Sequence, residues 1–432
     1  MSIAQIYEEF LQSKGICTDT RREVDGYLFF ALRGDQFDGN RFVENALEGG
    51  CRLAITERAD LAGSPRVIVV PSALKLLQNL SHHHRLQVNP RLVAITGSNG
   101  KTTTKELMAA VLSTQYELLA TEGNLNNHIG VPLTLLKLNG EEIAVIEMGA
   151  NHHREIAELA KIAAPEVGLI TNVGKAHLEG FGSIQGVLNA KGELYEYLAT
   201  HDGIALIDGG DQILIQKAGE CGVNSRLISL GGDLPVSLNL LGQQPFLEVE
   251  LQMGGEALTV STRLVGTYNM QNILLAAGAG MHFGISPENI AAAISGYHPK
   301  NQRSQLIEGE RNSLVLDSYN ANPSSMQKAI EGVLSYATLP TMLILGDMAE
   351  LGNFSEQEHR ALLQFIGTLD VERVLLVGAN FFNVCEPSSG QITVFRKRSE
   401  VEDFLRKEKP EGYQILVKGS RVMQLERLAP LL

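Results

Sequence analysis

The chain has 432 residues, 44% of them hydrophobic and 20% charged, a balance that excludes a disordered or collagen-like chain and, at about one domain per ~150 residues, predicts three globular domains. Its net charge of −13, from 36 Lys+Arg against 49 Asp+Glu, has the wrong sign for a general nucleic-acid surface. No apolar run reaches the ~18 residues of a membrane span, the start lacks a signal-peptide pattern, so a cytoplasmic protein is expected, and four scattered cysteines exclude a disulfide framework or C-x-x-C zinc site.

Residues 1–85 read as a small α/β unit. It contains Thr18-Asp-Thr-Arg-Arg22, Gly26-Tyr-Leu-Phe-Phe-Ala-Leu-Arg-Gly34 and Asp38-Gly-Asn-Arg-Phe42. Arginines beside hydroxyls and glycine turns suit diphosphate or sugar contacts. Arg21 and Arg41 fit plain surface charge equally well. His82-His-His84 reads as a solvated helix end, because consecutive side chains do not converge on one ion.

Residues 86–298 alternate apolar strands with helical patterns, which predicts βαβ units and a parallel sheet. The apolar run Leu92 to Ile95 is followed by the turn Gly97-Ser98-Asn99-Gly100, then by Lys101, Thr102 and Thr103. Leu107, Met108, Val111 and Leu112 give the next segment helical periodicity. Strand, glycine turn and helix start form a phosphate-binding loop: the glycines let backbone wrap an anion and the first helical N–H groups point at it. Lys101 supplies a charge for the outer phosphates and the Thr102 hydroxyl a ligand for magnesium. The general pattern wants glycine where Ile95 stands, and the plainer reading is a strand–turn–helix with a capping lysine.

Further along, Asn124, Asn126, Asn127 and His128 crowd between glycines, which makes a poor core and a plausible binding loop. The strand Ile143 to Glu147 ends in a lone carboxylate, at the sheet edge where ligands of open α/β folds sit. Glu147 is therefore a candidate to bind a metal or orient water. His177 follows a second such strand and is placed at the same edge. Spacing leaves Lys191 open, with a solvated lysine the ordinary reading. Leu230 to Val265 reads as a β-rich excursion, Asn269 and Asn272 open the next helix, and Pro299 to Arg303 mark a boundary near 298. Residues 299–432 read as a Rossmann-like unit. Its strands exit in polar groups: Asp317 and Asn320, then Asp347 to Glu350, then Lys418, Ser420 and Arg421.

Taken together, Gly97-Ser-Asn-Gly-Lys-Thr-Thr103, Asn124-Leu-Asn-Asn127, Glu147-Met-Gly149, Asn172-Val-Gly174 with His177, Ala190-Lys-Gly-Glu193, Asp317-Ser-Tyr-Asn-Ala-Asn-Pro323 and Lys418-Gly-Ser-Arg421 resemble the Mur ligase family. Asn126 to Pro132, Asp317 to Pro323 and Leu345-Gly-Asp-Met-Ala-Glu-Leu-Gly352 are similar to its branch that adds D-alanyl-D-alanine. The resemblance implies a three-domain α/β architecture: an N-terminal UDP-muramoyl-binding domain (1–85), a central P-loop ATPase domain (86–298) and a C-terminal Rossmann-like domain for the amino acid or dipeptide (299–432). It implies ATP-driven joining of D-alanyl-D-alanine to UDP-N-acetylmuramoyl-tripeptide through an acyl phosphate. Another Mur-type ligase, adding the third amino acid, or a folylpolyglutamate-synthase-like ligase is the alternative.

For the site, the resemblance implies ATP contacts from Gly97, Ser98, Asn99, Gly100, Lys101, Thr102 and Thr103, with Asn272 and Asn320 near adenine and Arg303 and Asp317 near ribose and phosphate. It implies two magnesium ions held through Thr102, Glu147, His177 and a CO₂-derived carbamate on Lys191, and catalytic roles for Lys101, Glu147, His177 and Lys191. Thr20, Arg21, Asn124, Asn126, Asn127, Lys418, Ser420 and Arg421 would contact substrate. Two departures stand out: Arg154 where the family commonly has glycine, and Tyr27 in place of its usual aspartate. A monomer is the default expectation, and no nucleic-acid partner is expected.

Overall fold

The computed structural model describes residues 2–34, 37–299, 302–385 and 390–432. Lys300 and Asn301, within the expected boundary stretch, lie outside the described residues. Three α/β units follow one another along the chain. The first holds a four-stranded parallel sheet in the order Ile16–Cys17, Leu28–Phe30, Leu53–Thr56, Val67–Val69.

The middle unit carries a six-stranded parallel sheet, in the order Asn224–Ile228, Ile204–Asp208, Val167–Ile170, Arg91–Thr96, Ile143–Glu147, Leu118–Ala120. Its central strands are almost wholly buried, as continuous apolar runs demand when helices cover both faces of a sheet. The expected β-rich excursion is an antiparallel meander of Val236–Gln243, Phe246–Met253 and Glu256–Val265. Leu247, Val249, Leu251 and Met253 turn inward and pack with Ile273 and Leu275 of the helix Asn269–His282.

The last unit repeats the parallel design, with strands Ser313–Asp317, Gln414–Lys418, Thr341–Gly346, Arg373–Val377 and Ile392–Phe395 in that order and the antiparallel Gln305–Glu308 at one edge. Residues just past the carboxyl ends of the middle and last sheets line one common cavity. Among the described residues no helix is long and apolar enough to cross a membrane.

Two local expectations change. The helix Ala73–Val88, opened by the Ser72 side chain on Lys75 N–H, does not end in solvated histidines. It is packed between the first helix and the middle unit, so His84 is buried, with Nε2 2.8 Å from Leu138 O and Nδ1 3.1 Å from Tyr7 OH. Arg154, at the family's glycine position, takes the left-handed φ of 72° that glycine adopts freely. It precedes the helix Glu155–Ala163, and its N–H donates to Glu193 Oε1.

Candidate active site

The phosphate loop forms between the strand Arg91–Thr96 and the helix Lys101–Leu112. Ile95 is fully buried in that strand, so the loop begins two residues later than the general pattern places it. Gly97 (φ 142°) and Gly100 (φ 79°) have no room for a side chain: a Cβ would fall on Thr171 Oγ1 in the first case and on Asn272 Oδ1 in the second. The loop's shape is held by Asn172, whose Oδ1 accepts from Asn99 N–H and whose amide donates to Asn99 O, and by Ser98 Oγ on Gly174. Lys101 Nζ donates to Gly97 O at 2.7 Å. Burial pushes its ammonium below the ordinary lysine value, and Glu147 opposes that shift.

Glu147 is buried at its strand end. It accepts from the Thr102 hydroxyl and from the Asn126 amide, both at 2.8 Å. Hydroxyl and carboxylate oxygens beside a phosphate loop are the donors a magnesium ion prefers. Among the described residues no three His, Cys, Asp or Glu side chains group as a ready-made metal site. Such an ion would therefore draw on water and ligand oxygens as well as on side chains.

The cavity has a volume of about 540 Å³. It gathers most residues expected to act together: Ser98, Asn99, Gly100, Lys101, Thr102, Thr103, Asn124, Asn126, Asn127, Glu147, His177 and Asn272 from the middle unit, with Arg303, Asp317, Asn320 and Lys418 opposite. Lys418 Nζ donates to Asp317 Oδ2 at 2.5 Å and to Asn320 O at 3.2 Å. The Arg303 guanidinium lies 3.9 Å from the Tyr319 ring centre.

Other candidates lie elsewhere. Gly97 shapes the loop from behind. Lys191 is fully buried, its Nζ without a hydrogen-bond partner and 5.4 Å from the Phe181 ring centre. Burial, with a smaller push from Lys101, lowers its amine to about 7. This overturns the solvated reading of Lys191. Ser420 is buried and donates to Asp347 O, while Arg421 stands off the cavity and bonds Gln302. Thr20 and Arg21 sit in the N-terminal unit, away from the cavity lining, with Arg21 exposed and paired to Asp19.

Several groups at the site escaped the sequence reading. Asn322 donates to Asn99 Oδ1 at 2.8 Å, directly joining the last unit to the phosphate loop. Lys175 bridges to the buried Glu358 at 2.7 Å, and its N–H donates to Ser324 Oγ. Glu350 Oε2 lies 2.6 Å from His177 Nδ1, and that contact holds the Glu350 carboxyl below the usual carboxylate range. Glu350 lies in the Asp347–Glu350 strand exit that the sequence marked as polar, four residues past the strand Thr341–Gly346, but it was not singled out there as a site residue.

A phosphate loop on one parallel sheet, facing the ionic exits of a second across a shared cavity, defines a multidomain P-loop enzyme. Three family models match the chain: "Mur ligase family, catalytic domain" at residues 12–87, "Mur ligase middle domain" at 95–280 and "Mur ligase, glutamate ligase domain" at 302–421. The chain belongs to the Mur ligase family. It is 35% identical to the UDP-N-acetylmuramoyl-tripeptide–D-alanyl-D-alanine ligase of Bacillus subtilis (96% of this chain, 92% of the relative) and 36% identical to that of Escherichia coli, with the same coverage. Crystal structure I of MurF from Acinetobacter baumannii superposes with a TM-score of 0.89 at 31% identity, covering 99% of this chain and 98% of that one. MurF ligase from Thermotoga maritima in complex with ADP gives 0.86 at 26% identity, covering 98% and 97%. Folylpolyglutamate synthase from Thermotoga maritima shares the fold alone, at 12% identity with a TM-score of 0.60, covering 82% and 92%.

Proposed function

We propose that this chain is an ATP-dependent ligase that joins D-alanyl-D-alanine to UDP-N-acetylmuramoyl-tripeptide in the synthesis of peptidoglycan precursor. The observation that carries the reading is the shared cavity, where Lys101 and Thr102 face Asp317 and Lys418 in a chain matched nearly end to end by relatives of that name. A free carboxylate is a poor acyl donor, so the reaction proceeds in two displacements. A carboxylate oxygen of the tripeptide bonds to the γ-phosphorus and the bond to the β-phosphate oxygen breaks, releasing ADP and leaving an acyl phosphate. The dipeptide nitrogen then bonds to that carbonyl carbon, loses a proton, and inorganic phosphate departs.

Each residue set has a task in this sequence. Backbone N–H groups of the glycine loop and the Lys101 charge hold the phosphates and offset charge that develops on transfer. Asn272 stands beside Gly100 for the base, and Arg303, Asp317 and Asn320 close the nucleotide from the opposite side. Thr102 and Glu147 are the residues that would hold magnesium, which when bound neutralises phosphate charge; His177 stands in the same cavity as a further ligand. Lys191 suits carbamylation, because that modification needs a neutral amine, and this one has no hydrogen-bond partner among the described residues and is lowered to about 7. Its carbamate would add an anion to the metal-binding set. Thr20, Arg21 and the glycine turns of the N-terminal unit are assigned to the UDP-muramoyl end, and the protein is assigned to the cytoplasm as a monomer.

The test is phosphate release with ATP and UDP-muramoyl-tripeptide, with and without D-alanyl-D-alanine. Sustained release that requires both substrates is expected. Equal release with neither would make the chain a plain NTPase.

A further inference from the structure

Most carboxylates that reach the cavity are already engaged. Glu147 is held by Thr102 and Asn126, Asp317 by Lys418 and the Ser304 N–H, and Glu155 by the N–H groups of Asn151 and His152. Glu158, on the middle unit, also lines the cavity. Glu350 reaches in from the opposite unit; its side chain is 44% exposed and lies 2.6 Å from His177 Nδ1. Its backbone, by contrast, is pinned. The Glu350 carbonyl accepts from Glu179 N–H, Met348 N–H donates to the buried His359, and Ser420 bonds Asp347 O from both its N–H and its hydroxyl. Leu351, next in the chain, is buried.

This rigid support holds Glu350 at φ 62°, a left-handed conformation that a non-glycine residue adopts only at a cost. Backbone strain kept in place by its surroundings is a mark of positions where side-chain direction matters. The direction here is into the cavity, from the sheet that faces the phosphate loop. The cations there have other work: Lys101 lies on the loop, and Lys418 is spent on Asp317. Ser420, the neutral candidate on this side, already donates its hydroxyl to Asp347 O.

We propose that Glu350 is the carboxylate that receives the amino end of the incoming dipeptide, bound first as the ammonium, and that it aims the nitrogen at the acyl carbonyl once one ammonium proton has passed to solvent and freed the lone pair. The inference rests on the ligase reading above and adds to it the contact that selects a primary amine at this side of the cavity. A charge-assisted N–H···O bond to a fixed carboxylate gives both attraction and direction. The left-handed backbone keeps that carboxylate in place before substrate arrives, so little ordering is lost on binding.

The experiment compares the full-length protein with Glu350→Gln. The KM for D-alanyl-D-alanine is expected to rise roughly tenfold to hundredfold, the loss of one hydrogen bond to a charged group. The KM values for ATP and UDP-muramoyl-tripeptide should stay within about twofold, and acyl phosphate trapped by borohydride without dipeptide should form as in wild type. Propionyl-D-alanine, the dipeptide stripped of its amine, should inhibit both proteins equally. Glu350→Gly, which takes φ 62° freely, keeps the test sound if the glutamine variant folds poorly, and should show the same KM defect. An unchanged dipeptide KM, or an equal loss of acyl-phosphate formation, overturns the proposal while the ligase reading stands. A wild type that makes no product removes the ligase reading itself, and this inference with it.

Discussion

On one side of the middle unit, contacts run from buried side chains to main-chain carbonyls. Arg85, 2% exposed, donates to Ala163 O and Ala164 O at the end of the helix Glu155–Ala163, His82 Nδ1 lies 3.0 Å from Ile162 O, and His84 Nε2 lies 2.8 Å from Leu138 O. Leu136 completes an apolar cluster with Leu77 and Leu80. On the other side, the contacts join side chain to side chain around an open cavity: Asn322 to Asn99, Lys175 to Glu358, Glu350 to His177. The first seam is built on buried side chains, with Arg85 also paired to Glu166 and His84 to Tyr7. The second adds polar pairs, beside apolar contacts that the middle and last units share. A hinge that admits and closes over substrates belongs at the second seam, and a fixed mount at the first.

That contrast breaks most visibly at Arg85. Arg85→Met leaves two carbonyls at a buried helix end without donors, a cost of about 2–6 kcal/mol at ~1–3 kcal/mol for each buried group. Denaturant unfolding should show that loss, while turnover of the folded fraction is unchanged. Lost turnover at full stability would mean that this seam moves during catalysis.

At the other seam a smaller effect on stability should carry a larger share of function. Lys175→Glu and Glu358→Lys each remove an ion pair worth about 1 kcal/mol, enough for roughly a fivefold shift in closure and hence in kcat/KM. The doubly reversed protein should recover most of the rate. A double variant no better than the singles would deny the pair any role in closure.

The smallest effect concerns pH. Burial holds the His84 imidazole below its ordinary value of 6.5, with the bond to Leu138 opposing. Between the two values the unfolded chain binds the proton and the folded one does not, so stability falls as pH drops below 6.5. The slope is at most ~1.4 kcal/mol per pH unit, and thermal melts of His84→Gln should lack it. An identical slope in that variant would assign the acid sensitivity to other groups.

The parts of this molecule that local physics writes were legible in the sequence. Apolar runs gave the parallel strands, and two glycines before Lys101 gave the phosphate loop. Glu147 and His177, picked out at strand ends because ligands gather there in such folds, both line the cavity. What escaped depended on distance in sequence. Nothing near Asn322 announces a bond to Asn99, 223 residues away, and Lys175 meets Glu358 across 183. Lys191 looked ordinary because burial comes from the whole middle unit rather than from its neighbours in the chain. His84 misled for the same reason, since a polar helix end gives no hint that another unit covers it.

The claim beneath all of this is that the loop at Gly97–Gly100 delivers a triphosphate to an acid so that an amide is made. Mass analysis of single-turnover products tests it most directly, with wild type beside Lys101→Ala. The account predicts that wild type converts the tripeptide to the species heavier by one D-alanyl-D-alanine less one water, only with ATP present. Lys101→Ala, folded as judged by its thermal melt, should fall by about 10²–10³-fold, the scale of losing a main charge-stabilising group. ATP consumed with acid and amine left unjoined, or product formed at wild-type rate without the Lys101 charge, would contradict it.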